Sequence, residues 1–283
     1  TIAFGSMPEP MLDTDFSANL ADLMDDSELN VLKNDLMDNV DADKDSRSEW
    51  EKTYRDGLEF LGMKTEERAQ PFEGASGVMH PLLAESVTQF QAQAYNELLP
   101  SQGPVKTQVL GMTTPDSEAQ ASRVQEFMNY QLMQVMKEYD PETDQMLFYL
   151  PLSGSAFRKI YYDQNMGRAV SKFIPSEDLI VPYAATDLHS ATRITHVINM
   201  SINDIKKLQQ MGFYSDVNVD SGNMLAEDTD DIQEEIDQIQ GISPSYNDDD
   251  TCKVHEIHTE LDIPGFEDLD AQGEETGIKL PYI

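Results

Sequence analysis

The sequence predicts an α+β chain. Three observations carry that reading. Apolar residues recur at three- and four-residue steps from 48 to 152, a two-residue period replaces them at 156, and the strand-like segments then gather late in the chain, broken by one helix and an acidic stretch. Helices and strands segregated in this order form an α+β architecture rather than a doubly wound sheet.

Each element has its own signal. Ser17 to Met37 reads as a weak helix, with Leu20, Leu23, Met24, Leu32 and Leu36 spaced unevenly among aspartates, suited to docking on something larger. Ser48 to Gly62 carries Trp50, Tyr54, Leu58 and Leu61 on one face behind Ser48 as N-cap. The turn-rich segment from Gln70 to Pro81 precedes a helix over Leu82–Leu99, with Leu83, Val87, Phe90, Ala94 and Leu98 on one side and Pro100 as its stop. Lys106–Leu110 alternates as a strand does. Thr114-Pro115 then supplies the N-cap and first position of a long helix through Phe127 to Tyr139, ended by Asp140-Pro141, and a further helix runs from Thr143 to about Leu152 and into Gly154.

Residues 156–162 and 169–174 flank Asp163-Gln-Asn-Met-Gly-Arg168 and predict a hairpin. Leu179–Tyr183 and Arg193–Met200 predict strands, Ser201 caps a helix that Gly212 ends, and residues 253–261 and 278–283 again read as strand. Between them, residues 216–250 hold twelve acids and no base, with Ile232, Ile236 and Ile239 on one helical stripe. The expected organisation is an acidic extension over 1–47, an α+β body over 48–215, an acidic insert over 216–250, and strands over 251–283 that continue the body in a chain expected to run on past Ile283.

Charge narrows the function. There are 53 acidic and 19 basic side chains, a net of −34, concentrated at the ends and in the insert. Such a chain does not seek nucleic-acid phosphates by attraction. The lone Cys252 excludes an internal disulfide and a multi-cysteine zinc site, which fits a reducing compartment. No apolar run approaches the ~18 residues that span a bilayer, and the expectation is a soluble, unexported protein.

Candidate chemistry is sparse. Asp41, Asp43 and Asp45 match the opening of a calcium loop, but Ser46 stands where glycine is needed and Lys52 where a bidentate glutamate is needed, so a solvated acidic linker is the expected reading. Gly74-Ala-Ser-Gly77 lacks the Gly-Lys-Ser/Thr of a phosphate loop, and Gly154 lies outside any nucleophile-elbow pattern. His255 and His258, three apart on a strand, face opposite sides and share no metal. Arg158, Lys159 and Lys172 cluster on the hairpin, as expected for surface or intersubunit pairing. No catalytic residue, metal or cofactor is expected.

Several stretches together carry a resemblance: Trp50-Glu-Lys-Thr-Tyr54, Gly57-Leu-Glu-Phe-Leu-Gly62, Arg68 to Pro81, Phe90-Gln-Ala-Gln-Ala94, Glu97-Leu-Leu-Pro100, Gly103-Pro-Val-Lys106, Met128-Asn-Tyr130, Tyr149 to Phe157 and Gly277 to Ile283. In this order they resemble the amino-terminal, wing portion of portal proteins of tailed, podovirus-like bacteriophages. The resemblance implies a non-enzymatic subunit of a dodecameric ring at the capsid vertex, assembled in the host cytoplasm and carried in the virion. It implies as partners the major capsid protein, terminase during packaging, tail adaptors, and double-stranded DNA passing without sequence specificity. An acidic conduit repels phosphates and lets a duplex slide. Trp50, Tyr54, Phe90, Phe127 and Tyr130 are the expected oligomer or packing residues, with Trp50 and Phe127, on the most regular stripes, expected in the core. An acidic head–tail adaptor, a calcium-binding interaction module and a carboxylate enzyme are the competing readings.

Overall fold

The computed structural model describes residues 19–61, 72, 81–163, 166–219, 251–270 and 273–283. The helix expected around Ile232, Ile236 and Ile239 and the Gly74–Gly77 segment lie outside the described residues. The elements are α1 (Asp26–Ser46), α2 (Ser48–Phe60), α3 (Leu82–Leu98), α4 (Pro115–Tyr130), α5 (Tyr139–Ser153), β1 (Phe157–Asp163), β2 (Arg168–Ile174), β3 (Leu179–Ile180), β4 (Arg193–Ser201), α6 (Ile202–Gln210), β5 (Thr251–Leu261) and β6 (Leu280–Tyr282). Helices and antiparallel sheets are both present, which is the α+β class the periodicities indicate. The chain divides into two compact units, one of Thr1–Glu49, Leu179–Asn223 and Asp249–Ile283, the other of Trp50–Asp178 and Met224–Asp248. The body expected over 48–215 is thus shared between both.

In the first unit a four-stranded antiparallel sheet runs in the order β3-β4-β5-β6. The register pairs Arg193 with Thr259 and His196 with Glu256. α1 crosses one face of it. Val40 is buried there, Arg193 on β4 donates from Nε to Asp43 Oδ2 at 2.7 Å and from Nη2 to Asn39 O at 3.2 Å, and Arg47 Nη1 donates to Leu179 O at 3.0 Å. The helix expected from Ser17 to Met37 therefore lies further along the chain. Asp25 begins it with a capping box to Glu28, and its buried side is built partly from Asp43 and Arg47. Apolar spacing cannot register a face whose packing residues are charged. The expected linker at 41–46 is helix for the same reason.

Alternation along β5 separates its two histidines as expected. His255 Nδ1 lies 3.4 Å from Met37 Sδ on α1, whereas His258 Nε2 lies 2.9 Å from Glu256 Oε1 on the opposite face. Ser201 Oγ accepts the Asp204 N–H at 3.1 Å to open α6, and Gly212, at φ +73°, turns the chain away beyond it.

In the second unit the core forms where α2 meets the end of α5. Leu58 is fully buried and Tyr54 nearly so, with Trp50 and Leu152 packed against them. Pro141 was expected to end a helix and instead lies in the first turn of α5. The first four N–H groups of a helix have no internal acceptor, so a proline there removes no bond and starts the helix rather than stopping it. The preceding helix ends earlier: α4 passes through a π-helical turn at Gln131–Val135, and Met136 leaves the helical region.

Lys106–Leu110 forms no strand. The chain from Val105 to Thr107 bonds to α4 instead: Asn129 accepts the Val105 N–H at 2.9 Å and donates to Val105 O at 3.1 Å, Gln125 Oε1 accepts the Thr107 N–H at 3.2 Å, and Thr107 Oγ1 donates to Ala121 O at 2.9 Å. Alternation set up an extended segment, but the Gln125 and Asn129 amide side chains of a helix supply the partners a neighbouring strand would have given. Gly103 makes the close approach possible. At φ +96°, it sits where an added Cβ would come within 2.5 Å of the Asn129 side chain.

β1 and β2 form the expected hairpin, in unbroken register from Phe157↔Ile174 to Asp163↔Arg168. The outer edge of β2 is closed by α5 and the residue before it: Glu142 Oε2 accepts the Phe173 N–H at 2.7 Å, and Glu138 Oε1 takes Arg168 Nη1 at 2.6 Å with the Ser171 N–H at 3.4 Å. The Arg168 hydrogen bond holds the Glu138 carboxyl below its ordinary range. A carboxylate depressed on folding stabilises above its unfolded pKa and loses that contribution as pH falls through the folded one. The stability difference between the protein and Glu138→Gln is therefore expected to be constant above the ordinary value of 4.5 and to shrink below it, as urea unfolding across a pH series would show. A difference that persisted unchanged into strong acid would refute the coupling.

Candidate assembly surface

The five aromatic residues singled out by sequence fall into two groups. Trp50 and Tyr54 are packing residues. Their rings stack at 5.5 Å with an interplanar angle of 3°, and Trp50 Nε1 donates to Ser153 O at 3.0 Å. Burial, followed by the nearby Glu177 carboxylate, pushes the Tyr54 hydroxyl well above the usual phenol range, so it stays a neutral donor. Tyr149, whose own hydroxyl is raised by burial, stacks on Phe173 at 5.9 Å and extends the aromatic layer.

Phe90, Phe127 and Tyr130 are exposed. Phe127 was expected in the core and instead shows 62% of its surface, beside Tyr130 at 57%. The cause lies in how α4 is held. Ala121, Gln125 and Asn129, one turn apart, grip the 103–107 segment, while Val124, Phe127 and Met128 lie at three- and four-residue steps on an adjoining arc that nothing described covers. No side chain of α4 is buried. The preceding loop adds Leu110 and Met112, 88% and 91% exposed.

α3 repeats the pattern. Its side toward α5 is polar, with Gln91 Nε2 donating to Asp144 Oδ1 at 2.8 Å and Tyr95 donating to Asp140 Oδ1 at 2.5 Å, next to the buried Val87. Phe90 and Leu98, on the apolar stripe expected for this helix, remain outside. Here the seam toward α5 is a row of hydrogen bonds and the apolar stripe is displaced from it. Sequence reasoning missed Leu110 and Met112. Their signal was two large apolar residues either side of Gly111 in a loop, a place where burial within one chain is hard to arrange.

The metal candidate does not assemble. Asp41, Asp43 and Asp45 lie on α1, where two-residue steps rotate side chains by ~200°. Asp43 is turned inward onto Arg193 while Asp41 and Asp45 face solvent. Among the described residues no three His, Cys, Asp or Glu side chains converge as metal ligands. None of the described helices is long and apolar enough to cross a membrane.

Two helices of the second unit, α3 and α4, present large apolar and aromatic side chains to solvent. No family model matches the chain, and no curated protein sequence matches it.

Proposed function

We propose that this chain is a structural subunit of the portal ring of a tailed, podovirus-like bacteriophage, with its two units belonging to the portal wing. The observation that carries the reading is α4, a sixteen-residue helix with no buried side chain and with Phe127 and Tyr130 exposed. An isolated helix of that length is marginal in water, and contiguous exposed apolar side chains mark an interaction surface. A ring subunit places such faces against its neighbours. The ordered series of stretches between Trp50 and Ile283 gives the reading its family.

In this role the subunit acts structurally rather than as an enzyme. Its partners are further copies in a dodecameric ring, the major capsid protein, the packaging terminase and the tail adaptors, at the vertex of the virion. Double-stranded DNA passes through without sequence-specific contact, which the net charge of −34 favours by repelling phosphates.

The test is electron microscopy of the longest version of the protein. Class averages are expected to show closed rings with a central channel. Monomers or open chains at every concentration examined would overturn the reading and favour an acidic head–tail adaptor in its place.

A further inference from the structure

We infer that residues 103–130, the extended segment and α4 together, form an arm that swings as one body about two pivots, the turn at 100–103 and the π-helical turn at Gln131–Val135. That the swing serves contact with a neighbouring copy rests on the ring reading; the swing itself does not.

The arm is held together from within. Thr107 turns its side chain onto α4, where Oγ1 donates to Ala121 O at 2.9 Å, and Gln125 and Asn129 take the Thr107 and Val105 N–H groups at 3.2 and 2.9 Å. Alternation in an extended chain puts Val105 and Val109 on the same side as Thr107 and puts Lys106, Gln108 and Leu110 on the other. Burial follows that division: Val105, Thr107 and Val109 are partly buried, while Lys106, Gln108 and Leu110 are exposed. On α4 the side chains that are even partly buried are Ser117, Ala121, Gln125 and Asn129, which recur every fourth residue along the strip that meets the segment.

Little ties the arm to the rest of the second unit. Among the described residues, every hydrogen bond of a side chain in 103–130 ends within 103–130, and none of these side chains joins an ion pair. The connections are at the ends. Gly103 N–H donates to Pro100 O at 2.8 Å, and beyond α4 the Met136 N–H donates to Gln131 O at 2.9 Å, with Met136 itself buried. Rotation of the arm therefore breaks no side-chain hydrogen bond and uncovers no buried α4 side chain; its cost is confined to backbone torsions at the two pivots. Hinges use such element-terminal residues, and single π-helical turns are frequent at functional sites. A segment with few buried apolar contacts also moves well below the energy of global unfolding. The arm carries Leu110, Met112, Val124, Phe127, Met128 and Tyr130, so a swing re-aims that surface without altering it.

Spin-label distances test the hinge, in a Cys252→Ala background that removes the buried native thiol. Lys106→Cys with Glu118→Cys reports within the arm, Glu118→Cys with Gln145→Cys between arm and α5, and Gln145→Cys with Lys172→Cys within the body; all of these positions are exposed. The within-arm and within-body pairs are expected to give single narrow distributions, and the arm–body pair a clearly broader one. Gln125→Ala combined with Asn129→Ala is expected to broaden the within-arm distribution and leave the within-body one unchanged. An arm–body distribution as narrow as the other two would overturn the hinge. So would a within-arm distribution as broad as the arm–body one, which would mean that α4 frays rather than swings, and a within-arm pair untouched by the double substitution would overturn the clamp as the source of the arm's cohesion. Electron microscopy separates this from the ring reading. Rings from a chain whose arm–body distribution is narrow would leave the ring standing and the hinge refuted; a broad distribution in a chain that forms no ring would do the reverse.

Discussion

Asp43→Ala is expected to destabilise the first unit by about 3–5 kcal/mol, the range for a buried ion pair that loses one partner. The side chains of Asp43 and Arg193 are only 10% and 15% exposed and meet at 2.7 Å. Removing the carboxylate leaves the guanidinium enclosed between α1 and β4 with the Asn39 carbonyl as its remaining described acceptor. The loss is the penalty of an uncompensated charge, not the worth of the pair. A double replacement, Asp43→Leu with Arg193→Met, is therefore expected to recover most of it. Trp50 belongs to the second unit and does not report on this site, so the measurement is hydrogen exchange along β4 and β5, or urea unfolding followed in the far ultraviolet. A double-mutant coupling below about 1 kcal/mol would mean the pair behaves as a screened surface contact.

The same residue shows where sequence reasoning reaches and where it stops. Asp43 was legible as a carboxylate in an acidic run and was weighed as a metal ligand, because one-dimensional spacing carries no information about which side of α1 meets a sheet formed 150 residues later. Elements whose signal is local were legible to within a few residues: the Thr114 cap and Pro115 start of α4, the hairpin loop between Asp163 and Arg168, and Ser201 and Gly212 around α6. Elements defined by their partners were not. Lys106–Leu110 has the alternation of a strand, and its Thr107 is bound instead by Gln125 and Ala121 of a helix. Pro141 has the chemistry of a breaker and sits where a helix tolerates it.

The aromatic residues follow the same rule. Periodicity on α2 and on the Phe127 helix is equally regular, yet Trp50 and Tyr54 lie against α5 while Phe127 faces solvent. An apolar stripe states that a face will be covered. It does not state whether the cover belongs to the same chain. Hydrogen-bonding side chains made the difference here, since the polar clamp of Gln125 and Asn129 fixed which way α4 turns and left its aromatic arc outside.

That separation leads to paired outcomes for stability and assembly. Leu58→Ala removes a side chain with no exposed surface, beside Tyr54 and the Trp50 stack, and is expected to lower stability by about 2–5 kcal/mol through lost transfer energy and the cavity left behind. Unfolding followed by Trp50 fluorescence measures it directly, because the only tryptophan lies in that cluster. Phe127→Ala combined with Tyr130→Ala is expected to do the opposite. Both side chains are more than half exposed, so stability should stay within about 0.5 kcal/mol of the parent, as for other surface substitutions. Assembly should nevertheless fail, because interface aromatics concentrate binding energy. Each substitution thus moves one measurement and spares the other: the Leu58 variant forms its assemblies at temperatures where it remains folded, and the Phe127 and Tyr130 variant stays folded and sediments as a smaller species. A double variant that assembled as the parent does would place the subunit contact away from α4, and one that unfolded would return Phe127 and Tyr130 to the core.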